Sequence, residues 1–361
     1  MPMKICFIIH DLSQRAGTER AQINLANALS SRGESISIWS CYWRNFVPGF
    51  SLSDKVEIAH GKKKPFPHFL DYPWLIVSFA FFVLRRRPNW IVCTDTNRLI
   101  VALLAVFIPG VHLAVWEHYA LSHSAGKARG KIARKLASRL ATRIVTLTDR
   151  DTDLYHKYFN PRGTVTTIPN IVFPPEMTER FRKQEILALG RLVPQKGYDL
   201  LLEAWSLANK RLPDWFLRIV GEGAMLEELK ELAKKFKIGH CVVFDSFSEF
   251  PFMLYSECGI FVLSSRFEGL PFVLIEAMIC GAPCISFDCP NGPREVINNG
   301  VNGLLVPSEN VTALADTIVK LAKNQEMRQH LGENARKIAK FYSKETIADR
   351  WIQILGNKAE S

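Results

Sequence analysis

The sequence lacks the features that define several classes of protein. Its eight cysteines include no C-x2-C pair, and no nearby histidine completes a zinc set, so we expect reduced thiols and no metal site. The first nine residues lack the basic start and long apolar stretch of a signal peptide, and they predict a first strand instead. With 48% hydrophobic and 22% charged residues among 361, the composition is that of a globular protein of about two domains.

The chain also lacks an uninterrupted apolar run long enough to cross a bilayer, which takes about 20 residues. Pro109, Gly110 and His112 interrupt residues 99–116, which predict a helix, a turn and a buried strand. Residues 74–84 are apolar or small but too few, and three arginines follow them directly. This segment is either a buried helix with a solvated basic end or a helix that lies on a membrane interface.

Negative charge is scarce in the first half of the chain. Residues 1–180 contain 24 Lys and Arg against 13 Asp and Glu, a net charge of +11, whereas residues 181–361 contain 22 of each sign. This excess predicts that the first half meets an anionic partner. Zinc-finger spacing, RNP-like aromatic motifs and an obvious recognition helix are all missing, so we expect an anionic membrane surface and no nucleic acid.

Residues 127–143 predict an amphipathic basic helix. Ile132, Leu136 and Leu140 recur at i, i+4 and i+8 and form its expected apolar stripe. Seven basic residues surround them: Lys127, Arg129, Lys131, Arg134, Lys135, Arg139 and Arg143. The basic face is either solvated or docks on anionic lipid headgroups.

Short apolar segments alternate with helical ones, which predicts parallel sheets covered by helices on both faces. The pattern restarts near residue 185, after a proline-containing stretch. We therefore predict an α/β protein of two doubly wound, Rossmann-like domains that face a central cleft, with an N-terminal domain at 1–168, a linker at 169–184 and a C-terminal domain at 185–342. A last amphipathic helix in 343–361, with Ile347, Trp351 and Ile354 on one face, is expected to pack back on the N-terminal domain.

Three loops in the second half carry residues suited to a phosphorylated ligand. Open parallel sheets bind ligands at the carboxyl ends of their strands, where helix N-termini point at them. Arg191 and Lys196 follow a predicted strand and either bracket a diphosphate or remain solvated cations. The turn at 220–223 has a glycine, Gly221, that permits close backbone approach, and the loop at 288–295 either orders around a ligand or is only a turn.

A fourth segment, residues 266–276, is the most informative. Pro271 marks a helix N-terminus, so the free amides near Gly269 and Leu270 would face phosphates. Glu268 precedes this helix and Glu276 lies within it, about 8–12 Å away. Two carboxylates at that distance suit hydroxyl groups at different ends of a sugar nucleotide, and ribose hydroxyls would be the partners of a buried Glu276. Periodicity alone also allows a Glu276 that faces solvent or an internal cation.

Together these motifs resemble the retaining glycosyltransferases of family 4, which have the GT-B fold. The resemblance rests on residues 168–170 (IPN), 190–197 (GRLVPQKG), 220–223 (VGEG), the two carboxylates with seven residues between them, and residues 300–307 (GVNGLLVP), in that order. In the first half, residues 17–20 (GTER) resemble the family's glycine loop, with Ala16 at its usual first glycine, and His118 ends a predicted strand where the family has a cleft-facing histidine.

The resemblance also implies roles for individual residues. Arg191 and Lys196 would hold the donor diphosphate, Glu276 would bind the ribose, and Glu268 and His118 would contact the transferred sugar as catalytic residues. The other donor-binding residues it implies are Gly17, Gly221, Gly269, Leu270 and Pro271. Transfer would retain the anomeric configuration, with the cations and helix amides stabilising the leaving diphosphate without a metal.

An acidic run at 149–153 looks like the metal motif of another glycosyltransferase class. It follows a predicted strand directly, a position where acidic side chains favour a helix N-terminus, so it predicts capping.

We therefore expect a hexosyltransferase that moves a hexose or N-acetylhexosamine from a nucleotide sugar, with UDP as the nucleotide. The expected acceptor is a lipid-linked saccharide or glycan in bacterial surface polysaccharide biosynthesis, used by a cytoplasmic enzyme held at the inner face of the cell membrane. A soluble small-molecule acceptor is one alternative. A non-catalytic scaffold that binds nucleotide sugars is the other.

Overall fold

The computed structural model describes residues 2–14, 17–43, 47–62, 68–118, 128–172, 182–246, 248, 251–290 and 292–356. Expectations for Ala16, Lys127, most of the linker and the last five residues fall outside the described residues. The strands are β1 (Lys4–Asp11), β2 (Ser35–Tyr42), β3 (Glu57–Lys62), β4 (Trp90–Cys93), β5 (His112–Trp116), β6 (Arg143–Thr146), β7 (Thr164–Thr167), β8 (Glu185–Leu189), β9 (Phe216–Val220), β10 (Val242–Asp245), β11 (Ile260–Leu263), β12 (Cys284–Asp288) and β13 (Leu304–Pro307).

The α-helices connect these strands in the alternating order that the apolar pattern predicts. They are α1 (Gly17–Ser31), α2 (His68–Arg86), α3 (Leu99–Ala102), α4 (Ala128–Leu140), α5 (Asp149–Phe159), α6 (Tyr198–Ala208), α7 (Leu226–Lys235), α8 (Pro251–Glu257), α9 (Phe272–Ile279), α10 (Pro293–Val296), α11 (Val311–Lys323), α12 (Gln325–Arg336), α13 (Ala339–Tyr342) and α14 (Lys344–Gly356). Of the helices that the structure describes, none combines the length and apolar character that crossing a bilayer requires.

The chain folds into two units that divide at 171/172 and at 341/342, close to the expected boundaries at 168 and 342. The N-terminal unit has a parallel sheet in the order β3-β2-β1-β4-β5-β6-β7. The C-terminal unit has a second parallel sheet in the order β10-β9-β8-β11-β12-β13. In each sheet the first strand has its successor on one side and a later strand on the other. This reversal opens a ligand site at the carboxyl ends of β1 and β4, and of β8 and β11.

The last helix, α14, packs on the N-terminal unit. Trp90 Nε1 donates to the carbonyl oxygen of Leu355 at 2.9 Å, and Arg143 Nε donates to that of Ile354 at 3.0 Å. The Trp351 ring meets the Trp116 ring edge-on, with centroids 5.1 Å apart. Large aromatic side chains and satisfied carbonyls therefore hold this helix, as its amphipathic pattern predicts.

The acidic run after β6 lies at a helix N-terminus, as predicted. Thr148 is the N-cap of α5, and its Oγ1 accepts from the backbone N–H of Asp151 at 3.2 Å. Asp149 and Asp151 lie in the first turn, where the helix dipole favours negative charge. This geometry accounts for the run without assigning it a ligand.

The predicted basic helix is α4, and its predicted apolar stripe is confirmed at Leu136 and Leu140, which pack on the core, but is wrong at Ile132. The helix ends at Leu140, and Arg143 belongs to β6. Ile132 leaves 70% of its surface exposed, whereas Arg134 and Arg143 are buried. Arg134 is buried because it pairs with a carboxylate of the same unit, described below. The buried side of α4 therefore includes an arginine and its exposed side an isoleucine, which the distribution of charged and apolar residues along the sequence does not predict.

Candidate functional site

Most of the predicted site residues gather at the carboxyl ends of neighbouring strands of the C-terminal sheet. Eight of the ten lie in the C-terminal unit, on loops that follow β8, β9 and β11 or on the helix after β11. The other two, Gly17 and His118, belong to the N-terminal unit. Because β8 pairs with both β9 and β11, the three loops of the C-terminal unit emerge side by side at the switch point of the sheet.

The loops after β8 and β9 are joined through their backbones. The N–H of Gly190 donates to Val220 at 3.0 Å, and the N–H of Leu192 donates to Glu222 at 2.8 Å. Gly221 has a φ of 151°, and a Cβ on it would lie 2.0 Å from the carbonyl oxygen of Gly190. Any other residue would clash there, so glycine is required for the close approach of these two loops.

Lys196 and Glu268 form a mostly buried ion pair. Lys196 Nζ lies 2.6 Å from Glu268 Oε1, and the two side chains are only 14% and 7% exposed. Ser265 Oγ also donates to this oxygen at 2.6 Å. The family resemblance implies that the lysine binds phosphates and the carboxylate binds a sugar, and in the structure the two side chains bind each other. The pair satisfies a lysine and a carboxylate that would be costly to bury separately.

Arg191 is exposed beside this pair. It forms no ion pair with any residue in the part of the chain that the structure describes. A guanidinium in this state retains its full set of donors for an anion, and its fork geometry fits phosphate oxygens. The site therefore presents one exposed cation and one paired cation on the same loop.

A second ion pair, which no sequence motif indicates, supports the loops of the site. Arg266 forms a bidentate pair with Asp199, with nitrogen–oxygen distances of 2.8 and 2.6 Å. Burial raises the pKa of the Asp199 carboxyl, but the hydrogen bonds and charge of Arg266 outweigh it and hold that pKa below its ordinary value. Gln195 Nε2 donates to the carbonyl oxygen of Phe267 at 3.0 Å. These contacts fix the loop after β8 against the loop after β11, which positions Lys196 and Glu268.

The helix α9 begins beside these loops. Pro271 is its N-cap and has no side chain to accept from the first amides, and Leu270 is buried just before it. The first N–H groups of a helix have no partners within the helix and carry partial positive charge. The loop after β12 packs closely against the residues that precede α9. A Cβ on Gly292 of that loop would lie 2.0 Å from the carbonyl oxygen of Gly269, so only glycine permits this approach.

Glu276 is buried inside the same helix, with 6% of its surface exposed. The hydroxyl of Tyr255 donates to Glu276 Oε2 at 3.2 Å. Burial raises the pKa of the Tyr255 phenol well above its ordinary value, so this hydroxyl keeps its proton and acts as a donor. The solvent-facing alternative for Glu276 is therefore wrong, and one partner of its carboxylate is a tyrosine within the protein.

His118 follows β5 in the N-terminal unit. Its ring packs against Trp116 with centroids 4.4 Å apart, and its buried Nε2 has no hydrogen-bond partner among the described residues. Burial lowers the pKa of the imidazole to about 4, so the ring is neutral at pH 7. A neutral imidazole with an unoccupied ring nitrogen suits a hydrogen bond to a ligand hydroxyl.

The residue before this histidine is held by a buried ion pair. Arg134 on α4 donates through Nε and Nη2 to the two carboxylate oxygens of Glu117, at 3.0 and 3.2 Å. Both side chains are almost fully buried. The backbone N–H of Glu117 also donates to Val145 at 2.8 Å. A bidentate pair and a ladder bond thus set the backbone position from which His118 projects.

Gly17 is the first residue of α1, after the carboxyl end of β1. A Cβ on it would meet nothing within 4 Å, so packing among the described residues does not demand glycine there. The preceding residues of its loop fall outside the part of the chain that the structure describes. Its role in donor binding stays a prediction.

Two Rossmann-like units with parallel sheets are the architecture of the GT-B glycosyltransferases, as predicted. The fold matches S. aureus TarM, crystallised in a complex that includes UDP, with a TM-score of 0.81 over 98% of this chain and 100% of that chain at 14% identity. Likeness at this identity establishes the fold alone.

The sequence comparisons establish the family. Residues 175–338 match the family model described as glycosyl transferases group 1. An uncharacterized glycosyltransferase of Haemophilus influenzae is 30% identical over 353 residues, covering 98% of this chain and 99% of the relative. The amylovoran biosynthesis glycosyltransferase AmsD of Erwinia amylovora is 28% identical over 98% of this chain and 99% of its own length. The chain belongs to the group 1 glycosyltransferase family.

Proposed function

We propose that this protein is a retaining hexosyltransferase of family 4 that acts in bacterial surface polysaccharide biosynthesis. It moves a hexose or N-acetylhexosamine from a UDP-linked donor to a lipid-linked saccharide or glycan at the inner face of the cell membrane. The observation that carries the proposal is the Lys196–Glu268 pair beside the exposed Arg191, at the switch point of the sheet and next to the start of α9. The UDP in the TarM complex and the polysaccharide named for AmsD support the donor and the pathway class.

The cations and the helix start have the chemistry that a departing diphosphate needs. Negative charge grows on the diphosphate as its bond to the sugar breaks, and fixed positive groups lower the barrier when they are already in place. Arg191 offers a planar fork of donors, Lys196 a point charge, and the first amides of α9 their partial positive charge. In this proposal these groups stabilise the diphosphate without a metal. Undiminished turnover in excess EDTA is the expected result, and loss restored by a divalent cation would contradict it.

In this proposal the two carboxylates bind different parts of the donor. Glu276, held by Tyr255, accepts from the ribose hydroxyls. Glu268 uses Oε1 for Lys196 and Ser265, and its Oε2 forms no hydrogen bond with a described residue, so Oε2 faces the transferred sugar. His118, neutral at pH 7, also bonds a hydroxyl of that sugar.

Retention follows from attack on the face that the diphosphate leaves. The acceptor hydroxyl oxygen forms the new bond to the anomeric carbon, while the bond from that carbon to the diphosphate oxygen breaks. The hydroxyl proton passes to the departing phosphate oxygen, so charge and atoms balance without a protein nucleophile. The product is the glycoside with its original anomeric configuration and free UDP.

The test is a panel of nucleotide sugars with purified protein, read by UDP release and by thermal shift. Glu276→Gln removes one carboxylate oxygen and should weaken donor binding about tenfold or more, because hydrogen bonds to a buried charge are the stronger kind. Glu326→Gln is the matched control, since that carboxylate is exposed on α12 of the same unit. NMR of the product reports its anomeric configuration.

The outcomes separate the proposal from its alternatives. Binding of nucleotide sugars without hydrolysis or transfer to any acceptor would identify a scaffold instead of an enzyme. Full activity on a soluble sugar, with none added by a lipid-linked acceptor, would replace the proposed acceptor. An inverted product would overturn the retaining mechanism.

A further inference from the structure

The outward side of α2 is apolar. Its inward side chains Leu75, Phe79 and Val83 are buried in the core beneath the helix, as expected in a doubly wound domain. Its outward side exposes a second set of large apolar side chains, whose spacing places them along one face: Trp74, Val77, Phe81 and Leu84. A helix that is apolar on both sides calls for a second apolar environment besides the core of its own domain.

Two further apolar side chains extend this surface onto the next segment. The helix α3 and the 3-10 turn Ala105–Phe107 pack beside α2 over the same face of the sheet. Leu104 and Phe107 point outward there, and Phe107 leaves 73% of its surface exposed. We call the six side chains the outer patch: Trp74, Val77, Phe81, Leu84, Leu104 and Phe107. Single exposed apolar side chains are common, but six on adjacent segments mark an interaction surface.

The charges on the segments that form the outer patch and on α4 are almost all positive. Residues 68–86, 96–110 and 128–140 contain a single acidic residue, Asp71, which is fully buried and pairs with Lys62 and the Tyr42 hydroxyl. The exposed basic residues at the edge of the patch and on α4 are Arg85, Arg86, Arg87, Lys131, Lys135 and Arg139. Of these, Arg86 pairs with the exposed Glu57 on β3. A surface with an apolar centre and a predominantly basic rim complements anionic lipid headgroups over acyl chains.

Two of the basic residues on and after α4 are buried and do not reach the surface that would meet headgroups. Arg134 is committed to Glu117, and Arg143 to the end of α14, so neither is available to a headgroup. What α4 presents outward is Ile132 among Lys131, Lys135 and Arg139. Thus α2 supplies most of the apolar contact, and α4 supplies charge beside it.

We propose that the outer patch inserts shallowly into the interface of an anionic bilayer, with α2 parallel to the membrane and the basic rim on the headgroups. This deepens the proposed function, because a lipid-linked acceptor is presented at such a surface, but lipid binding itself needs no sugar chemistry. A second copy of this chain fits this surface less well than a membrane does. Two basic rims would meet across such a contact, in a protein whose net charge is already +11.

The experiment is flotation of the full-length protein with vesicles of phosphatidylcholine alone or mixed with phosphatidylglycerol. Binding is expected only to the anionic vesicles, and it should weaken at high salt because ions screen the headgroup attraction. The double variant Phe81→Ser/Phe107→Ser should lower partitioning at least about tenfold, since each ring loses its burial in the interface. Phe341→Ser is the matched control, because Phe341 is an exposed phenylalanine in the C-terminal unit.

A charge variant tests the rim separately. Lys131→Gln/Lys135→Gln should lower binding at low salt by about fivefold for each charge, with Lys320→Gln/Lys323→Gln on α11 as the exposed control pair. Absence of wild-type flotation at low salt would overturn the proposal, as would equal losses in the variants and their controls. Self-association that Phe81→Ser/Phe107→Ser abolishes, without lipid binding, would assign the surface to a second copy.

The same preparations separate this proposal from the enzymatic one. UDP release from a nucleotide sugar in lipid-free solution should be equal in the wild type and in the outer-patch variants. Flotation without UDP release would support the membrane proposal and contradict the assignment of a UDP-linked donor. UDP release without flotation would support the donor assignment and contradict the membrane proposal.

Discussion

Replacing Arg134 by methionine tests how the residue before His118 is held. The change keeps much of the side-chain volume but removes both donors to the Glu117 carboxylate, whose surface is 3% exposed. Breaking a buried ion pair from one side costs about 3–5 kcal/mol, because the remaining charge is left without compensation. Proteins are stable by about 5–15 kcal/mol, so the loss is a large share of the free energy of unfolding.

The cost should depend on pH in a defined direction. Burial raises the pKa of Glu117 and Arg134 opposes that rise, so the variant carries a still higher folded-state pKa. Below the unfolded pKa, near about 4.3, the carboxyl is protonated in both states and the charge penalty vanishes. As pH rises, the unfolded state ionises first, and stability falls by up to about 1.4 kcal/mol per unit until the folded-state pKa is reached. The deficit of Arg134→Met relative to wild type should therefore grow from acid to neutral pH.

Urea unfolding followed by tryptophan fluorescence suits this measurement, because six of the eight tryptophans lie in the N-terminal unit. Arg139→Met is the control on the exposed side of the same helix and should change stability by less than about 0.5 kcal/mol. Glu117→Gln/Arg134→Met removes the orphaned charge and should recover part of the loss. An Arg134→Met protein as stable as wild type, with the same pH profile, would refute the role assigned to this pair.

Three further predictions concern the site. Tyr255→Phe removes one hydrogen bond to Glu276 and should raise the donor KM by about two- to tenfold in steady-state assays, and an unchanged KM would argue against the contact. Gly221→Ala forces a backbone clash and should sharply lower thermal stability and donor binding, whereas Gly239→Ala, where a Cβ meets nothing within 4 Å, should do neither. His118, with a pKa of about 4, should show no NMR titration between pH 5.5 and 8; because the unfolded ring titrates near about 6.5, its contribution to stability is lost as pH falls from there toward 4.

The central strands could be predicted because they are continuous apolar segments buried on both faces, as β4 and β11 are. The edge strands β3 and β7 could not. β3 reads EIAHGK and β7 reads TVTT, and both are only partly buried, so neither has the apolar run that marks a strand. Their identity as strands comes from pairing with β2 and β6, which is a property of the sheet and not of the segment.

The site motifs could be predicted because glycine and charged residues gather where strands end. The pairings among them could not. Lys196 and Glu268 are 72 residues apart, and they meet only because β8 and β11 are neighbours. Tyr255 carries no motif and reaches Glu276 from another helix. Periodicity on α4 correctly places Leu136 and Leu140 on the core, but it could not predict that Arg134 is buried, because that depends on its partner Glu117.

The position of α14 has a consequence for the order in which this protein is made. The N-terminal unit leaves the ribosome first, and domains generally fold as they emerge. Yet the indole N–H of Trp90 and the Nε of Arg143 find their acceptors in the last turn of α14, and one edge of the Trp116 ring is covered by Trp351 of that helix. The first unit to be synthesised is therefore the last to be completed. A chain released before α14 is made would expose the apolar side chains that this helix covers, a surface of the kind that promotes aggregation.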